Sequence, residues 1–174
     1  MESVSCGYRS PLHLSGRRVN MAVSKLWSIN EGGLSRVLQY AANPKKTNNK
    51  LYISGINCEP ETAYEEFTAV KRSYAKADGI EAYHGYLSFK EQNITPELTM
   101  KIGTEFAQEV WGKRFQVLVT VHTDTEHPHC HFVINSVSFV DGKKLWGEEK
   151  AWFKFKQTAD RLCEKYGLYY NPKP

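Results

Sequence analysis

The 174-residue sequence has no C-x-x-C pair among its four cysteines, Cys6, Cys58, Cys130 and Cys163. That argues against a thiolate zinc site, and four scattered cysteines in a chain of this size do not suggest a disulfide framework. Reduced thiols in a cytosolic protein are the expectation. No apolar run reaches the ~20 residues a membrane helix needs. Residues 1–20 lack the continuous apolar stretch of a signal peptide. They read as a polar, flexible Ser/Gly/Arg-rich extension before Met21, where a second start fits and regular patterning begins; residues 171–174 read as a tail. Strong charge bias is also missing. A net charge of +4 and a pI near 8.8 permit a nucleic-acid partner without demanding one. No internal repeat is present.

What is there alternates strands with helices. Residues 22–28 read as a strand, and Leu34, Val37, Leu38 and Ala41 fall at i, i+3, i+4 and i+7, the apolar stripe of a helix that Pro44 stops. Residues 51–56 read as a strand. A helix opening at Pro60 carries Ala63, Phe67, Val70 and Tyr74 and ends at Asp78-Gly79. Residues 82–90 form a third strand. Thr95-Pro96-Glu97 starts a helix with a cap, a proline at the first position and an early acid. Residues 114–122 and 129–139 are the clearest strands. Asp141-Gly142 signals a hairpin returning through KKLW. A last helix over 149–166 has Trp152, Phe155, Ala159, Leu162 and Tyr166 as its core face, with Gly167 as its cap. The order predicts an α+β two-layer sandwich: a central, mostly antiparallel sheet of five or six strands with helices packed mainly on one face, all within a domain spanning residues 21–170.

Four of the six histidines stand in H-T-D-T-E-H-P-H-C-H: His122, His127, His129 and His131. Residues i and i+2 of a strand share a face. His129 and His131 therefore project together, with Asn135 further along the same side, and an antiparallel hairpin returns them beside His122. Three convergent imidazoles without a thiolate make a metal site with open positions. Zinc, manganese or nickel suits imidazole; with a phosphodiester completing the shell, manganese or magnesium fits. His127, set off by Pro128, is a candidate fourth ligand, proton acceptor or phosphate contact. Asp124 and Glu126 are candidates to orient an imidazole or act as base, with Asp124 favoured.

H-x-D-x-x-H-x-H-x-H-x-x-x-N-S followed by S-F-V-D-G-K-K resembles the third motif of mobilisation relaxases of the MobA/VirD2-like (MOB-P) group, within the HUH endonuclease class. Cys130 stands where a bulkier apolar residue is common. The segment L-S-R-V-L-Q-Y-A-A-N-P-K-K-T resembles the family's first motif, and A-Y-H-G-Y-L-S-F-K with T-P-E matches members from Gram-positive bacteria. The resemblance runs from about Met21 to Tyr170. It implies that Tyr40 is the nucleophile and that His122, His129 and His131 hold the metal. The residues alone leave Tyr52, Tyr83 and Tyr86 as rivals to Tyr40.

The resemblance further implies a metal-dependent, site- and strand-specific single-strand DNA endonuclease and transesterase. It would pass through a covalent 5′-phosphotyrosyl intermediate and start the mobilisation of a plasmid or integrative element. The implied cofactor is a divalent ion, manganese or magnesium first, zinc or nickel next. The implied partners are single-stranded DNA at an origin of transfer, accessory relaxosome proteins and a coupling protein, in the bacterial cytoplasm and without a membrane. Asn43, Lys45, Lys46, Lys143 and Lys144, and also Lys50, are candidates for contacts to DNA phosphates. Trp27, Trp111, Trp146 and Trp152 are candidates for base stacking. The competing functions are a rolling-circle replication initiator of the same class, a metal phosphodiesterase using activated water, and a non-catalytic nucleic-acid module.

Overall fold

The computed structural model describes residues 23–89, 93–145 and 148–168. The expected flexible extension over 1–20, Trp146, the side chain of Trp152 and the tail lie outside the described residues. Five strands, β1 (Val23–Ile29), β2 (Ile53–Ile56), β3 (Ala82–Ser88), β4 (Val117–His122) and β5 (His129–Asn135), form one antiparallel sheet in the order β1-β3-β5-β4-β2. Among the described residues four α-helices, α1 (Leu34–Ala41), α2 (Ala63–Ser73), α3 (Pro96–Val110) and α4 (Glu148–Lys165), follow β1, β2, β3 and β5, with a 3-10 turn at Pro60–Thr62 leading into α2.

The two longer helices, α3 and α4, cover one face. Phe106 of α3 and Phe155 of α4 meet Phe132 of β5 there, over Val117, Val119, Val121 and Leu87. All of these are fully buried, and each large apolar side chain so placed contributes roughly 1.5–3 kcal/mol. α3 begins as its sequence dictates: the Thr95 hydroxyl accepts from the Leu98 amide, with Pro96 at the first position.

The short helices α1 and α2 add a partial layer on the other face, which the two-layer expectation did not place. Leu34, Val37, Leu38 and Ala41 of α1 and Ala63 and Phe67 of α2 pack over Ala82, Leu118 and Val133. They cover only one end of that face; the other end carries the histidines.

The strands β2, β3, β4 and β5 are shorter than the sequence reading, and the return strand and helix α2 differ from it most. The return strand through KKLW is a single bridge, Val137 to Lys144, so the sheet has five strands. Its connection is longer than a two-residue turn: the Ser138 amide donates to Lys143 and the Gly142 amide to Ser138, with Gly142 at φ +67°. Helix α2 stops at Ser73, before Asp78-Gly79. Ala75 takes φ +53°, its amide donates to Arg72, and the Lys76 amide donates to Lys71, closing the helix end. The buried face of α2 also shifts: Lys71, only 2% exposed, turns inward and donates to the Glu81 carbonyl, whereas Val70 is half-buried.

Candidate metal centre and nucleophile

β4 and β5 run side by side with His122 opposite His129 and Thr120 opposite His131. The alternation that the sequence shows thus puts all three imidazoles on the face left open by α1 and α2. One ring nitrogen from each lies within 4.8 Å of the others. Burial pushes His131 far below the ordinary imidazole range, and the nearby charges of His122 and His129 add to it; burial lowers His122 as well. These two rings therefore stay neutral at physiological pH, the form that ligates metals. His131 Nε2 is buried without a hydrogen-bond partner. An unsatisfied buried nitrogen among three convergent imidazoles fits a divalent cation.

Each imidazole is held from behind. His122 Nε2 lies 2.9 Å from the carbonyl of Ala41, one of the otherwise unpaired carbonyls at the end of α1. His129 Nδ1 lies 3.1 Å from the carbonyl of His127. The ambiguous His127 enters the site through that carbonyl, and its ring is not in the cluster. His131 Nδ1 lies 2.9 Å from Nε2 of His84 on β3, a residue that the sequence reading passed over. His84 is buried to 4% exposure, and burial pushes it down to about 4.

Tyr40, in the last turn of α1, stands over this cluster. It is 45% exposed, and its ring centroid is 5.9, 5.5 and 5.7 Å from those of His84, His122 and His131. Its rivals are placed otherwise. Tyr52 is buried with its hydroxyl donating to Glu97, and Tyr83 is buried in the core between the sheet and α3. Tyr86 faces the same side as the cluster, 6.2 Å from the His131 ring.

Lys46 Nζ lies 5.4 Å from the Tyr40 ring centroid and 2.7 Å from Asp124. That hydrogen bond holds the Asp124 carboxyl below its ordinary range and raises Lys46. The Thr123 amide donates to the Lys46 carbonyl at 2.7 Å, pinning the loop after α1 to the end of β4. Asn43 shapes this loop: its side chain accepts from the Lys45 amide and its carbonyl from the amides of Lys46 and Thr47. Lys45 and Lys50 are exposed on it, and Glu126 is exposed on the β4–β5 loop.

Other candidates lie elsewhere. Asn135 shares the histidine face but sits at the far end of β5, where its amide donates to Phe67 and Gln116. Lys143 and Lys144 follow that same far end; Lys144 donates to the Asp78 carbonyl. Trp111 is core. Trp27 is half-buried beside His84 at 4.4 Å between ring centroids, and with Arg36, Tyr40 and Tyr86 it lines an open groove of about 620 Å³ leading to His131.

Fold and site together define an α+β domain with a three-histidine cluster on its sheet and a helix-end tyrosine above it. Residues 40–168 match the family model of the MobA/VirD2-like relaxase nuclease domain, and the chain belongs to that family. Among curated proteins it is 37% identical over 148 residues to Protein rlx of Staphylococcus aureus, covering 85% of this chain and 44% of the relative. It is 25% identical over 179 aligned residues to the group II intron-interrupted relaxase LtrB of Lactococcus lactis, covering 79% and 31%. The chain thus spans less than half the length of these relatives. A solved structure described as "Molecular Basis of Vancomycin Resistance Transfer in Staphylococcus aureus" shares the fold at a TM-score of 0.60 and 13% identity, covering 88% of this chain and 99% of that one. Among the described residues no helix is long and apolar enough to cross a membrane.

Proposed function

We propose that this domain cuts one strand of DNA at a specific site by attack of the Tyr40 hydroxyl on a backbone phosphate, to start mobilisation of a plasmid or integrative element. The observation that carries the reading is the position of the Tyr40 ring, within 6 Å of two of the three clustered imidazoles and of His84. His122, His129 and His131 would hold a divalent cation, manganese or magnesium by preference and zinc or nickel otherwise. That ion would draw charge from the scissile phosphate and orient it.

A phenol titrates near pH 10, so it needs help as a nucleophile at neutral pH. The Lys46 ammonium lies 5.4 Å from the Tyr40 ring centroid, where it would meet the charge of the scissile phosphate, and Asp124 holds it there; Asp124 is on this reading a positioning residue. Tyr40 gives its proton to water. The Tyr40 oxygen–phosphorus bond forms as the bond from phosphorus to the 3′-oxygen breaks, and that oxygen takes up a proton. The products are a 5′-phosphotyrosyl adduct and a free 3′-hydroxyl. The adduct keeps the ester, so attack by a 3′-hydroxyl reverses the cut and reseals the strand.

Single-stranded DNA at an origin of transfer is the substrate. Lys45, Lys46 and Lys50 would meet its phosphates, and Trp27 and Tyr86 in the groove would stack its bases. Accessory relaxosome proteins and a coupling protein in the bacterial cytoplasm are the partners that follow from the same reading.

The test is a labelled single strand carrying the cognate origin, incubated with manganese or magnesium and run on a denaturing gel. A covalent protein–DNA band that requires metal and is lost in Tyr40→Phe is the expected result. Cleavage without an adduct would replace this mechanism with that of a water-activating phosphodiesterase. An adduct that survives Tyr40→Phe would move the nucleophile, with Tyr86 next in line. A rolling-circle initiator shares the chemistry and would show itself by nicking a replication origin.

A further inference from the structure

We propose that His84 is a positioning residue that decides which nitrogen of His131 carries the proton, leaving Nε2 bare towards the cluster. The inference rests on the reading of that cluster as a metal site. The outer partners of His122 and His129 are the carbonyls of Ala41 and His127; the Thr125 hydroxyl also lies 3.3 Å from His129 Nδ1, but its own proton goes to the His127 carbonyl. A carbonyl only accepts, so the ring nitrogen facing it carries the proton and the other nitrogen keeps its lone pair. Both imidazoles are thereby locked in a ligating tautomer by the main chain.

His131 has no such lock. Its outer partner is another imidazole, with His84 Nε2 at 2.9 Å from His131 Nδ1, and an imidazole nitrogen either donates or accepts. If His84 donates from Nε2, His131 must carry its own proton on Nε2, and that nitrogen no longer ligates. If His84 carries its proton on Nδ1, its bare Nε2 accepts from His131 Nδ1–H, and His131 Nε2 offers its lone pair to the cluster. His131 Nε2 is buried with no protein partner of its own, so no other hydrogen bond makes this choice.

The packing fits a fixed ring. His84 is 4% exposed, and the Trp27, Tyr40 and His131 rings lie 4.4, 5.9 and 5.1 Å from it between centroids. Its place on β3 is set by register: Tyr86 is opposite His131 and His84 opposite Val133, so His84 reaches its partner diagonally across two strands. Outer-shell partners of this kind typically alter metal affinity 10- to 100-fold.

The experiment is calorimetric titration of the whole chain with manganese(II) alone, in the unaltered protein, His84→Ala and His84→Gln, with melting in a chelator as the control for folding. His84→Ala should weaken manganese binding by about 10- to 100-fold. His84→Gln, whose side-chain oxygen accepts at about the reach of Nε2, should recover most of it, a pattern that lost packing does not produce. Nitrogen-15 NMR of the unaltered protein loaded with zinc gives a second readout, independent of whether His84→Ala folds: His84 should be protonated at Nδ1 and bare at Nε2. Unchanged manganese affinity in a folded His84→Ala, or a proton on His84 Nε2 in the loaded protein, overturns the inference and leaves the metal site standing. An unaltered protein that binds neither ion overturns both.

Discussion

Lys46 and Asp124 are each about 30% exposed, so their ion pair adds at most about 1 kcal/mol to stability, and its significance is positional. If the pair acts as proposed, Lys46→Ala should slow adduct formation by about tenfold or more, each tenfold being 1.4 kcal/mol of barrier. Asp124→Asn should slow it less, and the double variant should be no slower than Lys46→Ala, because the carboxylate works through the ammonium. Additive losses in that cycle would mean that Asp124 acts on its own. At this scale the sequence exposes what strand periodicity carries and hides the rest. His122, His129 and His131 are legible because two of them alternate on one strand and the third ends the strand before it. His84 is not, because its partner lies on a strand nearly fifty residues further along and only the register of β3 against β5 brings the two together. Lys71 is hidden for a different reason: an apolar stripe drawn through α2 prefers Val70, and only the position of the Glu81 carbonyl makes the buried amine favourable.

Helices α1 and α3 follow their sequence signals closely, the apolar stripe in α1 and the cap and proline in α3, and Phe155, Ala159 and Leu162 of α4 are buried as read. Helix α2 does not, since Ala75 adopts a left-handed conformation that no glycine or asparagine advertises. The packing of α3 on β5 explains why a cysteine stands between the two histidines of the H-x-H strand. A Cβ placed on Gly103 would lie 2.4 Å from Cys130 Sγ, and that sulfur is held 3.1 Å from the Thr99 carbonyl. Gly103→Ala should therefore lose stability by about 1–2 kcal/mol, the cost of overpacking outweighing the ~1 kcal/mol that alanine gains in a helix. Pairing it with Cys130→Ala should recover most of that loss in a thermal melt. A stabilising Gly103→Ala alone would show that α3 has room to move off the sheet.

Across the whole molecule, the candidate cations separate into two groups at opposite ends of β5. Lys45 and Lys50 lie with Tyr40 at the histidine end, and Lys143 and Lys144 follow the other end. Each phosphate contact on single-stranded DNA contributes about 0.7 to the slope of log affinity against log salt. Substituting Lys45 or Lys50 by alanine should lower that slope by about this amount, and Lys143→Ala and Lys144→Ala should leave it unchanged. A drop from the second pair would extend the DNA path along the full strand. Sequence proximity had put both groups beside the site, because the motif reads straight through from His131 to Lys144 while the strand carries the chain away. Strand order was equally out of reach. Only β4 and β5, joined by a short loop, announce their pairing; β1 with β3 and β2 with β4 are settled by the packing of α3 and α4 on one face and of α1 and α2 on the other.

The hydrogen bond from His122 to the Ala41 carbonyl spans 81 positions of sequence. During synthesis at about 5–20 residues per second, the tyrosine is made roughly 4–16 seconds before the first histidine of the cluster. The two strands that carry the cluster are also the central pair on which β2 and β3 must zip up. Throughout that interval a nascent chain carries the Tyr40 hydroxyl without the imidazoles it faces in the folded domain, and the proposed site and the tertiary structure arrive together.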